Sequence, residues 1–102
     1  MDYVAFLSWR SSVPAADRDA ALMRRVNWQY PKGIRLISEY WPLAANVAVV
    51  SIFSADEYSP VMELTAEWND VFDIDVHPAI AADEGLRIGP EVFGRLSRLQ
   101  PS

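Results

Sequence analysis

Two stretches of this chain are apolar on both faces, and that constrains the fold more than anything else in it. A β-strand sends successive side chains to opposite sides. Read that way, Asp2–Trp9 puts Tyr3, Ala5, Leu7 and Trp9 on one side and Val4 and Phe6 on the other. Val47–Phe53 is β-branched and apolar on both sides as well. Strands of this kind belong in the middle of a sheet, with cover above and below. A third stretch, Val71–His77, alternates strictly. Phe72, Ile74 and Val76 share one side, and Asp73, Asp75 and His77 share the other, the pattern of a strand with one dry face and one wet face.

The intervening segments supply a fourth strand and the helices. Gly33–Trp41 alternates Ile34, Leu36, Ser38 and Tyr40 against Arg35, Ile37, Glu39 and Trp41, and Pro42 closes it. Between the first two strands, Ser11 or Ser12 is a helix N-cap with Pro14 in the first turn. That helix is expected to run to about Gln29 with an apolar stripe of Ala15, Leu22 and Val26, and Pro31-Lys32-Gly33 ends it. Ser54-Ala55-Asp56-Glu57 matches a capping box. It opens a second helix reaching about Trp68 and burying Val61, Leu64 and Trp68; the alternative start has Ser59 as cap and Pro60 at the first position. Gly89-Pro90 begins a short final helix carrying Val92, Phe93, Leu96 and Leu99, with Glu91 and Arg95 as an i,i+4 pair.

The order β-α-β-β-α-β plus a tail predicts an α+β, ferredoxin-like fold. It has a four-stranded antiparallel sheet with both helices on one face. Residues 1–80 form this domain and 81–102 a C-terminal extension. Two helices shield one face only, so the other would be a large apolar patch of the kind soluble monomers avoid. The expected cover is a second copy, a homodimer through the open sheet face, with the tail helix clasping the partner or an edge strand.

Composition narrows the function. Hydrophobic residues make up 51% of the chain, enough for a core, and there is no cysteine for a disulfide or a thiolate site. Net charge is -5, and Leu36–Leu86 contains no Lys or Arg. Nucleic acid is therefore not an expected partner. No apolar run approaches the ~20 residues of a membrane helix, and the start lacks a charged leader, so a cytoplasmic protein is expected. No Gly-rich phosphate loop, Ser-His-Asp arrangement or zinc motif is present, so neither cofactor nor metal is expected.

An opening strand ending in Trp9, then Pro31-Lys32-Gly33-Ile34-Arg35-Leu36-Ile37, the pair Tyr40-Trp41, Glu67-Trp68-Asn69-Asp70 and Val76-His77-Pro78 together resemble a family of short prokaryotic proteins. It is the domain-of-unknown-function family 3303, of the dimeric α/β-barrel superfamily. The resemblance covers roughly residues 1–80 and departs at Trp41 and after Ile80. It implies the fold and the dimer, and no reaction. Related barrels hold haem, quinones or polyketides between sheet and helices.

In this topology Trp9, Trp41, Asn46, Trp68 and Asp70 gather at one end of the sheet, and Ser38 and Tyr40 face the helix layer from the same end. Aromatic walls with a few polar groups suit a small-molecule pocket. The expected ligand contacts are Trp9, Ser38, Tyr40, Trp41 and Trp68, around a void lined by Tyr40 and Trp68. The first reading is an apolar or aromatic ligand. The second is a cofactor-independent monooxygenase, isomerase or cyclase using Tyr40, Asn46 and His77; the third is a structural protein with no ligand. Asp73, Asp75 and His77 stand ~7 Å apart along their strand, too far for one metal ion. Arg18, Arg24 and Arg25 either hold an anion or pair with Glu63 or Glu67 at the surface.

Overall fold

The computed structural model describes residues 1–99. The elements run β1 (Asp2–Trp9), α1 (Ala15–Val26), β2 (Ile34–Tyr40), β3 (Val47–Ala55), α2 (Ser59–Trp68), β4 (Phe72–Ala79) and α3 (Ala82–Leu99). The sheet is antiparallel in the order β2-β3-β1-β4, so the two strands that are apolar on both faces are the central ones. This is the ferredoxin-like α+β arrangement with an added C-terminal helix. Its core is one cluster of Ala5, Leu7, Val49, Phe53, Val61, Leu64, Trp68 and Phe72, closed over by the helix layer. Val4, Phe6, Val50 and Ile52 occupy the opposite face, where Phe6 is 39% exposed despite its central strand.

Several local expectations give way to stronger forces. Ser54 does not cap α2. It is buried in β3, paired across to Asp2 and Arg35, and its hydroxyl accepts a hydrogen bond from Arg35. The sheet ladder outcompetes the capping box, and α2 instead starts beyond Tyr58, with Pro60 in its first turn. Neither Ser11 nor Ser12 caps α1; Pro14 takes the cap position with no side-chain bond. The helix also ends at Val26, short of Gln29. Its buried face is Ala21 and Arg25 rather than Ala15 and Val26, which are exposed.

The register of β2 carries the largest correction. Leu36 pairs with Phe53 and Ser38 with Ile52, so Ile37 is an extra residue, a β-bulge. One added residue inverts the sidedness of everything after it. Glu39 now lies opposite Ser51 on the helix side, while Ser38 and Tyr40 lie opposite Ile52 and Val50 on the open side. The expectation that Ser38 and Tyr40 face the helix layer is thus reversed. A second irregularity leaves Ala48 as the extra residue of β3 beside Leu7 and Ser8.

The last helix is longer than the short helix expected from Gly89-Pro90. It spans 18 residues, with Pro90 inside it. Three of the chain's four glycines, Gly85, Gly89 and Gly94, also fall within it. Each interior Gly costs about 1 kcal/mol relative to Ala and a Pro about 3 kcal/mol. The pair on its surface is Glu84–Arg87, one turn apart. No side chain of α3 is buried among the described residues. The radius of gyration, 17.2 Å, and extents of 56 × 30 × 20 Å reflect this projecting arm; a compact chain of this length has a radius near ~13 Å.

Gly33 sits at φ 100°, and a Cβ there would come within 2.8 Å of the Pro60 ring. It needs both the left-handed backbone and the close approach to α2. Gly33→Ala is expected to lower unfolding stability by about 1–3 kcal/mol, read as a lower urea midpoint with an unchanged m-value.

Candidate functional site

The helix-side end of the sheet gathers arginines and aromatic rings. Arg25 lies on the inner face of α1 and is 4% exposed. Its Nε and Nη2 donate to the two oxygens of Glu39 at 2.9 and 2.8 Å, a bidentate pair. Nη2 also donates to the Tyr30 hydroxyl at 2.9 Å. Glu39 further accepts from the Tyr30 hydroxyl and from Trp41 Nε1. The Ser51 hydroxyl lies 2.8 Å from that of Tyr30. The guanidinium carbon stands 4.8 Å from the Trp28 ring centre and 5.0 Å from that of Trp68, within cation–π range.

Burial pushes the Glu39 carboxyl up, but the donors Arg25, Trp41 and Tyr30 outweigh it and hold it below its ordinary range. Burial, and then the bond to Glu39, push the Tyr30 phenol up to about 12. Asp70 is held low by the bidentate guanidinium of Arg24, which in turn lies 4.2 Å above the Trp68 ring. Arg10 reaches Asp73 at 3.4 Å. The expected ion pairs of Arg24 and Arg25 with Glu63 or Glu67 are therefore replaced by Asp70 and Glu39. Glu67 accepts from Trp28 Nε1 instead.

Above this network lies an open cleft of about 310 Å³. Its walls are Trp9 from β1, Arg18 and Leu22 from α1, and Trp41, Pro42 and Leu43 from the β2–β3 connection. Asp19, Ala44 and Ala48 complete it. The bulge at Ile37 is what turns Trp41 to this side. The Trp9 N–H donates to the Asn46 carbonyl at 2.9 Å, which ties the connection to β1. Arg18 extends over Trp9, its guanidinium carbon 5.4 Å from the ring centre. Its Nε is buried and meets no acceptor among the described residues, as is true of Arg25 Nη1 and Trp68 Nε1.

The proposed ligand residues thus separate. Trp9 and Trp41 line the cleft. Trp68 is fully buried, wedged among Trp28, Phe72 and the two arginines. Ser38 and Tyr40 lie on the other side of the sheet, Tyr40 65% exposed, so the expected void between Tyr40 and Trp68 does not exist. Tyr40 sits on the β2 edge in line with Asp75, and His77 lies two residues further along the β4 edge, so they are at least three strand spacings or about 14 Å apart. Asn46 is exposed in the β2–β3 connection. One chain does not bring Tyr40, Asn46 and His77 together. Among the described residues no three His, Asp or Glu side chains could hold a metal ion, and no helix is long and apolar enough to cross a membrane. Arg18 and Arg25 were weighed as anion holders or surface ion pairs, while Tyr30 and Glu39 were missed as site groups; the adjacent apolar pair Leu36-Ile37, which breaks the alternation of β2, is the trace that reveals Glu39.

A split βαβ sheet with an arginine–tryptophan helix layer over one face defines a small ferredoxin-like α+β domain. The chain belongs to the family described as "Domain of unknown function (DUF3303)", which it matches over residues 1–93, well into α3. No curated protein matches the chain.

Removing the Glu39 charge strands Arg25 in the interior. Glu39→Gln is expected to cost about 3–5 kcal/mol in urea unfolding, the range for breaking a buried pair from one side. Because the folded carboxyl titrates below the unfolded one, its stabilisation is present above the unfolded value of about 4.3. It is lost as pH falls through the folded value. The urea midpoint of the natural chain should therefore drop more steeply below about pH 4 than that of Glu39→Gln. For Tyr30 the sign is opposite: its contribution holds below about pH 10 and fades as pH rises through about 12. Absorbance titration at ~295 nm should show one of the four tyrosines ionising late, and earlier in Glu39→Gln.

Proposed function

We propose that the protein binds a small apolar or aromatic molecule carrying an anionic group, and that it works as a homodimer through its open sheet face. The observation that carries the ligand reading is the cleft between α1 and the β2–β3 connection. Two indoles, Trp9 and Trp41, form apolar walls, and Arg18 supplies a buried Nε with no acceptor among the described residues. A volume of about 310 Å³ matches the lower end of the ligand-pocket range. An orphaned donor there loses the desolvation cost of its burial when an acceptor enters. A carboxylate on a flat apolar body would meet both features at once. Arg25 is already saturated by Glu39 and Tyr30 on its other nitrogens and serves to hold α1 in place. The dimer reading is supported by the apolar residues Val4, Phe6, Val50 and Ile52 on the uncovered side of the sheet.

Calorimetric titration with 2-naphthoate and with its uncharged counterpart 2-naphthylmethanol tests the ligand reading. Naphthoate is expected to bind more tightly. Arg18→Gln should weaken naphthoate about tenfold or more, the worth of a charge-assisted bond, and leave naphthylmethanol unchanged. Trp41→Ala should weaken both. Absence of heat with either compound at millimolar concentration, or equal affinities in the natural chain and both variants, removes the proposal.

A further inference from the structure

We infer that α3 is an exchanged arm: in the homodimer proposed above, on which this inference rests, the α3 of each protomer lies across the open sheet face of the other. Three observations lead there. The first is a helix that its own chain does not support. Its 18 residues contain three glycines and an internal proline, a composition that does not hold a helix in water without tertiary contacts. Yet no side chain of α3 is buried within the described residues. Its apolar residues Ile88, Val92, Phe93, Leu96 and Leu99 recur at helical spacing on one stripe, and Phe93 is 69% and Leu99 79% exposed. A stripe of that kind faces something.

The second observation is the surface of matching size and character on the same molecule. The open face presents Val4, Phe6, Val50 and Ile52 across β1 and β3, extended by Ile37 and Tyr40 of β2. A groove of about 340 Å³ opens on it, between Val4, Ile37 and Ile52 of the sheet and the chain's own Ala79–Ala82, where β4 passes into α3. An 18-residue helix is about 27 Å long, and an eight-residue strand such as β1 about 26 Å. Only Ile80 and Ala81 separate β4 from α3, and beyond Ala82, which edges the groove, no described side chain of the helix is buried against its own sheet.

The third is charge. The β4 border of the open face carries the exposed carboxylates Asp75 and Asp73, the latter already reached by Arg10 of its own chain. The last two turns of α3 carry Arg95 and Arg98 and no acid. A helix laid over a second sheet with its basic end toward β4 sets these opposite one another. The occupant that satisfies all three is a second copy of this chain, because each copy owns both the unsupported helix and the uncovered sheet. Exchange is isologous and closes after two copies. It also doubles the contact, since each chain gives one helix and receives one, toward the ~800 Å² per partner of a stable interface.

The chain has no cysteine, so single cysteines report cleanly. Phe93→Cys on α3 and Val50→Cys on the sheet are mixed as separate full-length chains, allowed to exchange, and treated with a short bis-maleimide. The expected product is a covalent pair joining one chain of each variant. Tyr40→Cys, at an exposed position, replaces Val50→Cys if the latter folds poorly. A Phe93→Cys/Asp75→Cys double variant that cross-links within one chain overturns the exchange, since α3 would then cover its own sheet. A sedimenting dimer in which neither sheet position joins Phe93→Cys also overturns it, while leaving the dimer reading intact. Sedimentation as a single subunit at micromolar concentration overturns both.

Discussion

The ion pair between Arg25 and Glu39 is the contact on which the rest of the helix side depends. Each ion alone would cost several kcal/mol to hold in the interior. Together, and with Tyr30 and Trp41 spending their own donors on the carboxylate, they fix α1 over the sheet. The pair exists only because β2 carries an extra residue at Ile37. Without the bulge, the parity of the strand would aim Glu39 at the open face. The same half-twist swings Trp41 under α1. Bulge, ion pair and cleft wall are therefore one construction, and a change in any of them alters the other two.

The arginines show how a positive element can sit over a tryptophan-rich interior. Arg18, Arg24 and Arg25 each lie over an indole, and Arg24 and Arg25 each close on a carboxylate brought in from another element. Stacked guanidinium groups keep their planar faces in apolar contact while their edges make hydrogen bonds. Trp68 is enclosed by two such groups and by Trp28 and Phe72. It serves as a keystone for α2 rather than as a wall for a guest.

The main lines of the fold are legible in the residues, and the reasons for the misses are local. Double-sided apolar runs identified β1 and β3 as central, and strict alternation identified β4. In β2 the same reasoning failed beyond Leu36, because a single unpaired residue reverses every later assignment and the doublet Leu36-Ile37 is a faint sign of it. Arg25 looked like a surface residue because its partner comes from another element, 14 positions away. At Ser54 a local capping signal was real but weaker than the ladder of bonds to both neighbouring strands. For α3, Gly89-Pro90 read as a start, whereas the helix runs through it. Of the site, the tryptophans at the end of β1 and β2 could be found from topology. The acceptor-hungry nitrogen of Arg18 could not, since it depends on where the bulge puts Trp41 and the β2–β3 connection.

The two outer strands carry irregularities of different kinds. In β2 the extra residue distorts the outward row of amides and carbonyls at Ile37. In β4, Pro78 lacks an N–H to offer a neighbour, and the strand carries Asp73 and Asp75 beside it. An incoming extended segment would meet an out-of-step ladder on one flank and a missing rung on the other. Sideways growth into ribbons or fibrils is thereby discouraged, even though the sheet between those flanks is among the greasiest parts of the molecule.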